Sequence, residues 1–159
     1  LVNHKIVQGF GITEFVKMNP GFYQEGEHLG IDIDDAFGAS IFAAANGVII
    51  AGGNQLCPNF SEPNCNFGYG NWLLVWHEEL NIATSYMHLL EASPLKIGER
   101  VKGGDVIGKQ GASGKTTGSH LHFAVFGGPI NVYTAYNGGL DFQIMGRNKV
   151  KNPMDYLPR

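Results

Sequence analysis

Residues 118–128 read GSHLHFAVFGG and set two histidines, His120 and His122, on either side of one leucine in an otherwise apolar run. On a strand successive side chains point to opposite faces, so Leu121, Phe123 and Val125 share one face while His120, His122 and Ala124 share the other. The first face reads as core. The second must look at something polar, because two adjacent imidazoles ask for a metal, a substrate or water where one could be satisfied by a single neighbour. A solvated strand face and a functional site are both compatible with this segment alone.

The same glycine-punctuated apolar pattern fills the rest of the chain. KIVQGFG, HLGIDID, SIFAAANGVIIAGG, NWLLVWH, NIATSYMHLL and VIGKQG are short runs between turn residues, and none sustains helical spacing for three turns. The expected class is all-β, built on antiparallel sheet. Its 159 residues suit one domain, 1–159, with a core large enough to need no staple. Residues 127–148 form a glycine-rich excursion that reads as a long loop or hairpin insertion.

Composition narrows the partners. A formal charge of -3 with 11 scattered basic residues gives no basic stripe, so nucleic acid is not expected. No apolar run approaches the ~20 residues of a bilayer span, so this domain is not expected to insert in a membrane. The chain begins without methionine and without a signal-peptide pattern, as an excised domain with flanking regions elsewhere would. Cys57 and Cys65 bracket the polar segment PNFSEPN, which favours a local disulfide and an extracytoplasmic location, with two unpaired thiols as the alternative.

Further polar residues bear on the paired histidines. In EHLGIDID, His28 and Asp32 would be about 13 Å apart on an extended strand, so for the two to meet the chain must turn at Leu29-Gly30, where glycine allows it. In NIATSYMHLL, alternation places Ile82, Thr84, Tyr86 and His88 on one face and Ala83, Ser85, Met87 and Leu89 on the other. Each histidine alone is more readily a surface or satisfied residue than a ligand; together with Asp32, four of them make a shared site the stronger reading.

HLGID (28–32), YMHL (86–89) and HLH (120–122), in that order, resemble the motifs H-x-G-x-D, Y-x-H-L and H-x-H of the lysostaphin-type, or LytM-domain, zinc endopeptidases that cleave bacterial peptidoglycan peptides. AAANGVI, YGNWLLV, VKGGDVIGK and GASGKTTGSHLHF fall in the expected order, so the likeness runs from Gln8 nearly to the end. It implies an open groove over an antiparallel sheet in a barrel-sandwich hybrid-like architecture. It also implies one Zn2+ per chain on His28, Asp32 and His122, with His88 and His120 as the catalytic pair. Two imidazoles and a carboxylate are a set zinc accepts, and three protein ligands leave a fourth position open. The implied activity is hydrolysis of cross-links or stem peptides of peptidoglycan, outside the cytoplasm. The alternative is a non-catalytic module of the same fold that regulates a cell-wall hydrolase, with a regulatory partner.

Three departures or leftovers accompany the likeness. Ala124 follows HLHF where the family usually carries Glu or Gln. His4 and His77 match no motif and read as surface residues, while Asn71 and Tyr86 could line the groove or serve as an ordinary turn residue and strand aromatic. Two rival functions fare worse. GKQGASGKT misses the phosphate-loop spacing by one residue and precedes a strand, and ANGVI with VKGGDVIGK resembles half-motifs of biotinyl and lipoyl carriers, which have no use for the histidines.

Overall fold

The computed structural model describes residues 5–23, 26–52, 68–128 and 150–157. Ten strands and one short helix are defined there: β1 (Lys5–Gln8), α1 (Glu14–Met18), β2 (Ile31–Asp34), β3 (Ser40–Phe42), β4 (Gly47–Gly52), β5 (Asn71–His77), β6 (Ile82–Leu89), β7 (Arg100–Val101), β8 (Val106–Lys109), β9 (Leu121–Gly127) and β10 (Val150–Lys151). Eight of the strands form one sheet in the order β1-β2-β9-β6-β5-β4-β7, with β10 continuing along β9, and β3 pairs with β8 in a second, two-stranded sheet. All recorded pairings are antiparallel. The all-β expectation holds, and the structure matches it in detail.

The middle of the large sheet is β5, β6 and β9, whose sequences NWLLVWH, IATSYMHL and LHFAVFG are rich in the β-branched and aromatic residues that suit a pleated surface. Leu121, Phe123 and Val125 do lie in the core, with Ile31, Leu73, Val75, Ile82 and Tyr86, under the small sheet that contributes Ile41 and Ile107. The opposite face is not simply polar. Ala124 and Phe126, from the histidine side of β9, join Trp72, Leu74, Ala83 and Met87 in a second buried cluster. The two histidines thus occupy the end of an otherwise apolar face.

His77 is a correction. It is 1% exposed, not a surface residue. Its Nδ1 is 2.8 Å from the Asn46 carbonyl and its Nε2 is 2.8 Å from the Thr84 hydroxyl. Burial pushes its basicity down, with the Asn46 contact acting the other way. Tyr86 is likewise buried and is bonded through its hydroxyl to Thr84 and the Ala44 N–H, so it is a strand aromatic of the core on the face away from the paired histidines. Asn71 is buried where β5 begins, with its amide donating to the Leu89 carbonyl.

His4, Cys57, Cys65 and residues 129–148 of the glycine-rich excursion lie outside the described residues. Gly127 closes β9 and so belongs to the sheet. No helix among the described residues is long and apolar enough to cross a membrane.

Candidate metal centre

The register of β2 on β9 sets Asp32 directly opposite His122 on one face, which brings the Asp32 Oδ1 within 3.0 Å of the His122 Nδ1. His28 reaches them from outside the sheet. It pairs with Gly11 through hydrogen bonds in both directions, and its Nδ1 lies 2.7 Å from the Gly9 carbonyl. That contact assigns the Nδ1 proton and turns the Nε2 lone pair inward. The Nε2 is 3.1 Å from the Asp32 Oδ1 and 2.9 Å from the His122 Nδ1.

Gly30 makes this convergence possible: the chain bends there, as expected, and the His28 Nε2 comes to 3.1 Å from the Asp32 Oδ1. The φ of Gly30 is outside the left-handed region, and a Cβ there would stand 2.6 Å from the Phe123 carbonyl oxygen and 2.7 Å from the His122 Nε2. Glycine is needed for space, because the His122 ring lies against the backbone at that point.

His28, Asp32 and His122 therefore form a group that could hold a metal ion. The fit is chemical as well as geometric. A carboxylate and two imidazole nitrogens converge in a buried place with too few protons to bridge them, an arrangement a cation relieves. Their separations of 2.9–3.1 Å are close to the ~3.4 Å edge of a tetrahedron with zinc-type bonds. Burial acts to raise the Asp32 pKa, but hydrogen bonds to His122 and His28 outweigh it and hold the carboxyl well below the usual carboxylate range. Burial lowers the basicity of His122. Ionised carboxylate and neutral imidazole are the forms a metal requires.

The second histidine pair borders this trio. The ring centroids of His88 and His120 are 4.9 Å apart, and the His120 Nε2 is 3.5 Å from the Asp32 Oδ1. Each has its Nδ1 on a backbone carbonyl: His88 on Ser113 at 2.8 Å and His120 on Gly118 at 3.0 Å, with the Thr116 hydroxyl 3.3 Å from the latter nitrogen. Both Nε2 atoms are thereby left as acceptors. Burial, reinforced by His120 and His122, pulls the His88 pKa down to about 3.

His88 stands on the face that simple alternation denies it. Its φ is 61°, a left-handed conformation rare for a residue with a side chain, and the β5–β6 register shifts beside it, between Asn71 and Leu73. This bulge sends Leu89 into the core with Tyr86 and turns the imidazole toward His120 and His122. Five residues expected at the site are thus brought together, while Tyr86 and Asn71 are not part of it.

Some residues of the site carry no motif signal. Tyr23 stacks at 5.2 Å on His28, and burial, then the Asp32 charge, pushes its phenol up to about 12. Its only mark in the sequence is an aromatic pair just before the first motif. Lys115 reaches back over the Phe22 ring and donates to the Phe22 carbonyl at 2.8 Å. Ala124, opposite Ser85 in the β6–β9 ladder, offers no polar group. A cavity of about 740 Å³ lies on the other face, at Ile41, Tyr86, Phe123 and Leu157, and none of the five site residues lines it.

What the sheet constructs is a His/Asp/His group that could hold a metal ion, bordered by two further imidazoles. The sequence matches the model of peptidase family M23 over residues 26–132, and the chain belongs to that family. A DD-carboxypeptidase/endopeptidase Mpg of Neisseria meningitidis is 33% identical over 133 residues, which are 82% of this chain and 27% of that protein. The murein hydrolase activator NlpD of Salmonella dublin is 26% identical over 98% of this chain and 30% of its own length. The chain thus spans less than a third of these relatives. Among solved structures, the catalytic domain of lysostaphin from Staphylococcus simulans superposes with a TM-score of 0.70 and 25% identity, covering 97% of this chain and 92% of that one.

Proposed function

We propose that residues 1–159 are one zinc endopeptidase domain that hydrolyses peptide cross-links or stem peptides of bacterial peptidoglycan, outside the cytoplasm. The observation that carries this reading is the convergence of the His28, Asp32 and His122 donors beside two imidazoles whose Nδ1 atoms are held on backbone carbonyls. Bound there, zinc would polarise a scissile carbonyl and acidify water.

The protein's own groups supply the rest. His120, nearer the surface than His88, is placed to take a proton from attacking water and return it to the leaving amine. His88, buried and weakly basic, is suited to orient that water through its Nε2 lone pair. Tyr23 packs its ring against His28 while its hydroxyl pairs with the Gln8 side chain, so its part is to hold the His28 ring in place. Small residues on both sides of the scissile bond suit so enclosed a centre, so cleavage is expected beside glycine or D-alanine.

The likeness to an activator of murein hydrolases favours a second reading, regulation without catalysis. The intact set of five residues weighs against it. Digestion of two kinds of purified sacculi, glycine-bridged and directly cross-linked through diaminopimelate, tests both readings when new termini are identified by mass spectrometry. New termini in one kind name the substrate. Release of none by protein carrying about one zinc per chain overturns the peptidase reading in favour of regulation.

A further inference from the structure

The left-handed backbone at His88 is held by the side chain of Ser113, a residue of the GASGKTTGSHLHF stretch to which the sequence assigned no role. Asn71 and Leu89 are a register pair of β5 and β6, next to the bulge. The Ser113 hydroxyl sits between them, accepting from the Asn71 N–H at 2.9 Å and donating to the Leu89 carbonyl at 2.6 Å. It stands in for a direct ladder bond, so the strands can part there without stranding a buried donor or acceptor. The carbonyl of this same residue lies 2.8 Å from the His88 Nδ1.

The surroundings leave Ser113 little freedom. It is fully buried. Gly70 and Gly114 press on it and on each other so closely that a Cβ on either would come within 2.4 Å of facing atoms. The backbone on both sides of the bulge is tied down too, since the His88 N–H donates to the Tyr69 carbonyl and the Gly111 N–H to the His88 carbonyl.

We propose that Ser113 is the positioning residue for His88: its hydroxyl keeps the bulge open and its carbonyl fixes the proton on Nδ1, so that Nε2 faces the metal centre as an acceptor. Removing the hydroxyl leaves the buried Asn71 N–H unpaired and the Leu89 carbonyl with only the longer bond from the Asn71 amide at 3.3 Å, and it frees the Ser113 carbonyl to shift. The imidazole can then flip or change tautomer. The consequence for turnover rests on the peptidase reading; the consequence for the tautomer does not.

The test uses the zinc-loaded chain with 15N-labelled histidine. In the parent protein the His88 nitrogen shifts should show a proton on Nδ1. Ser113→Ala should give a mixture of tautomers, unchanged zinc content, and kcat on a soluble cross-linked muropeptide reduced about 10- to 100-fold with KM within about twofold. Ser113→Cys, nearly the same size with a weaker donor, should fall between and serves if the alanine variant does not fold. Ser113→Thr, which keeps the hydroxyl, should restore both signals. A His88 that stays fully protonated on Nδ1 in either folded variant lacking the hydroxyl overturns the assignment. A parent protein with the expected shifts but no cleavage overturns the peptidase reading and leaves the positioning role standing.

Discussion

Asp32 and His122 are cross-strand partners 3.0 Å apart, so the metal centre is anchored by the hydrogen-bond register of β2 on β9. A one-residue slip of β2 in that pairing would turn Asp32 to the face opposite His122. The centre is therefore as rigid as the middle of the sheet, and His28 is the ligand that depends on a connection outside it.

Gly30 is the point where this rigidity can be probed. Gly30→Ala puts a methyl group 2.7 Å from the His122 Nε2 and 2.6 Å from a backbone oxygen that cannot swing away. Zinc affinity should fall at least tenfold, read by competition with a chromophoric chelator. Undiminished affinity would show that the sheet relaxes around the added methyl.

The two imidazoles should separate from the ligands in their effects. His28→Ala, Asp32→Ala and His122→Ala should each abolish stoichiometric zinc, measured by elemental analysis. His88→Ala and His120→Ala should keep it and lose turnover by roughly 10²-fold or more, as the removal of proton-transfer or transition-state contacts does. Normal turnover in both of the latter variants would remove them from the mechanism.

His77 makes acid sensitivity a property of the core, away from the metal. With its Nδ1 proton on the Asn46 carbonyl, neutral His77 offers a lone pair to the Thr84 hydroxyl, which in turn meets the Tyr86 hydroxyl at 3.0 Å. Protonation of Nε2 reverses this chain and leaves the Tyr86 proton without an acceptor among the described residues. The folded pKa is lowered from 6.5, so the unfolded chain binds the proton first. Stability is then full above that value and falls as pH drops from 6.5 toward the folded pKa, by at most ~1.4 kcal/mol per pH unit. His77→Gln, which can keep both contacts and cannot titrate, should flatten the dependence of the denaturation midpoint on pH below about 6.5. An unchanged slope would assign the acid sensitivity to other groups.

Ser85 is fully buried and its hydroxyl has no hydrogen-bond partner among the described residues, with Ala124 opposite it. Ser85→Ala should therefore stabilise the fold by ~1 kcal/mol, a rise in Tm of about 3 °C for a domain of this size. A fall of that size would reveal a partner for the hydroxyl.

The sequence by itself determined the strands and singled out the four histidines and the aspartate that the structure brings together. Period-two alternation placed Leu121, Phe123 and Val125 in the core, and the spacing of HLGID, YMHL and HLH singled out the residues that converge. These features are local, written in neighbouring residues. What tertiary structure alone decided is how those residues meet. Alternation puts His88 on the wrong face, and only a bulge stabilised by Ser113, 25 positions away, turns it toward the metal face. Gly30 reads as a turn residue, and the chain does bend there, but the need for glycine itself appears only when the His122 ring is laid against it. His77 reads as a stray surface histidine until β4, β5 and β6 close over it. In each case the deciding contact lies between segments far apart in the chain or across a strand ladder, where sterics and hydrogen-bond demand act only after the sheet has formed.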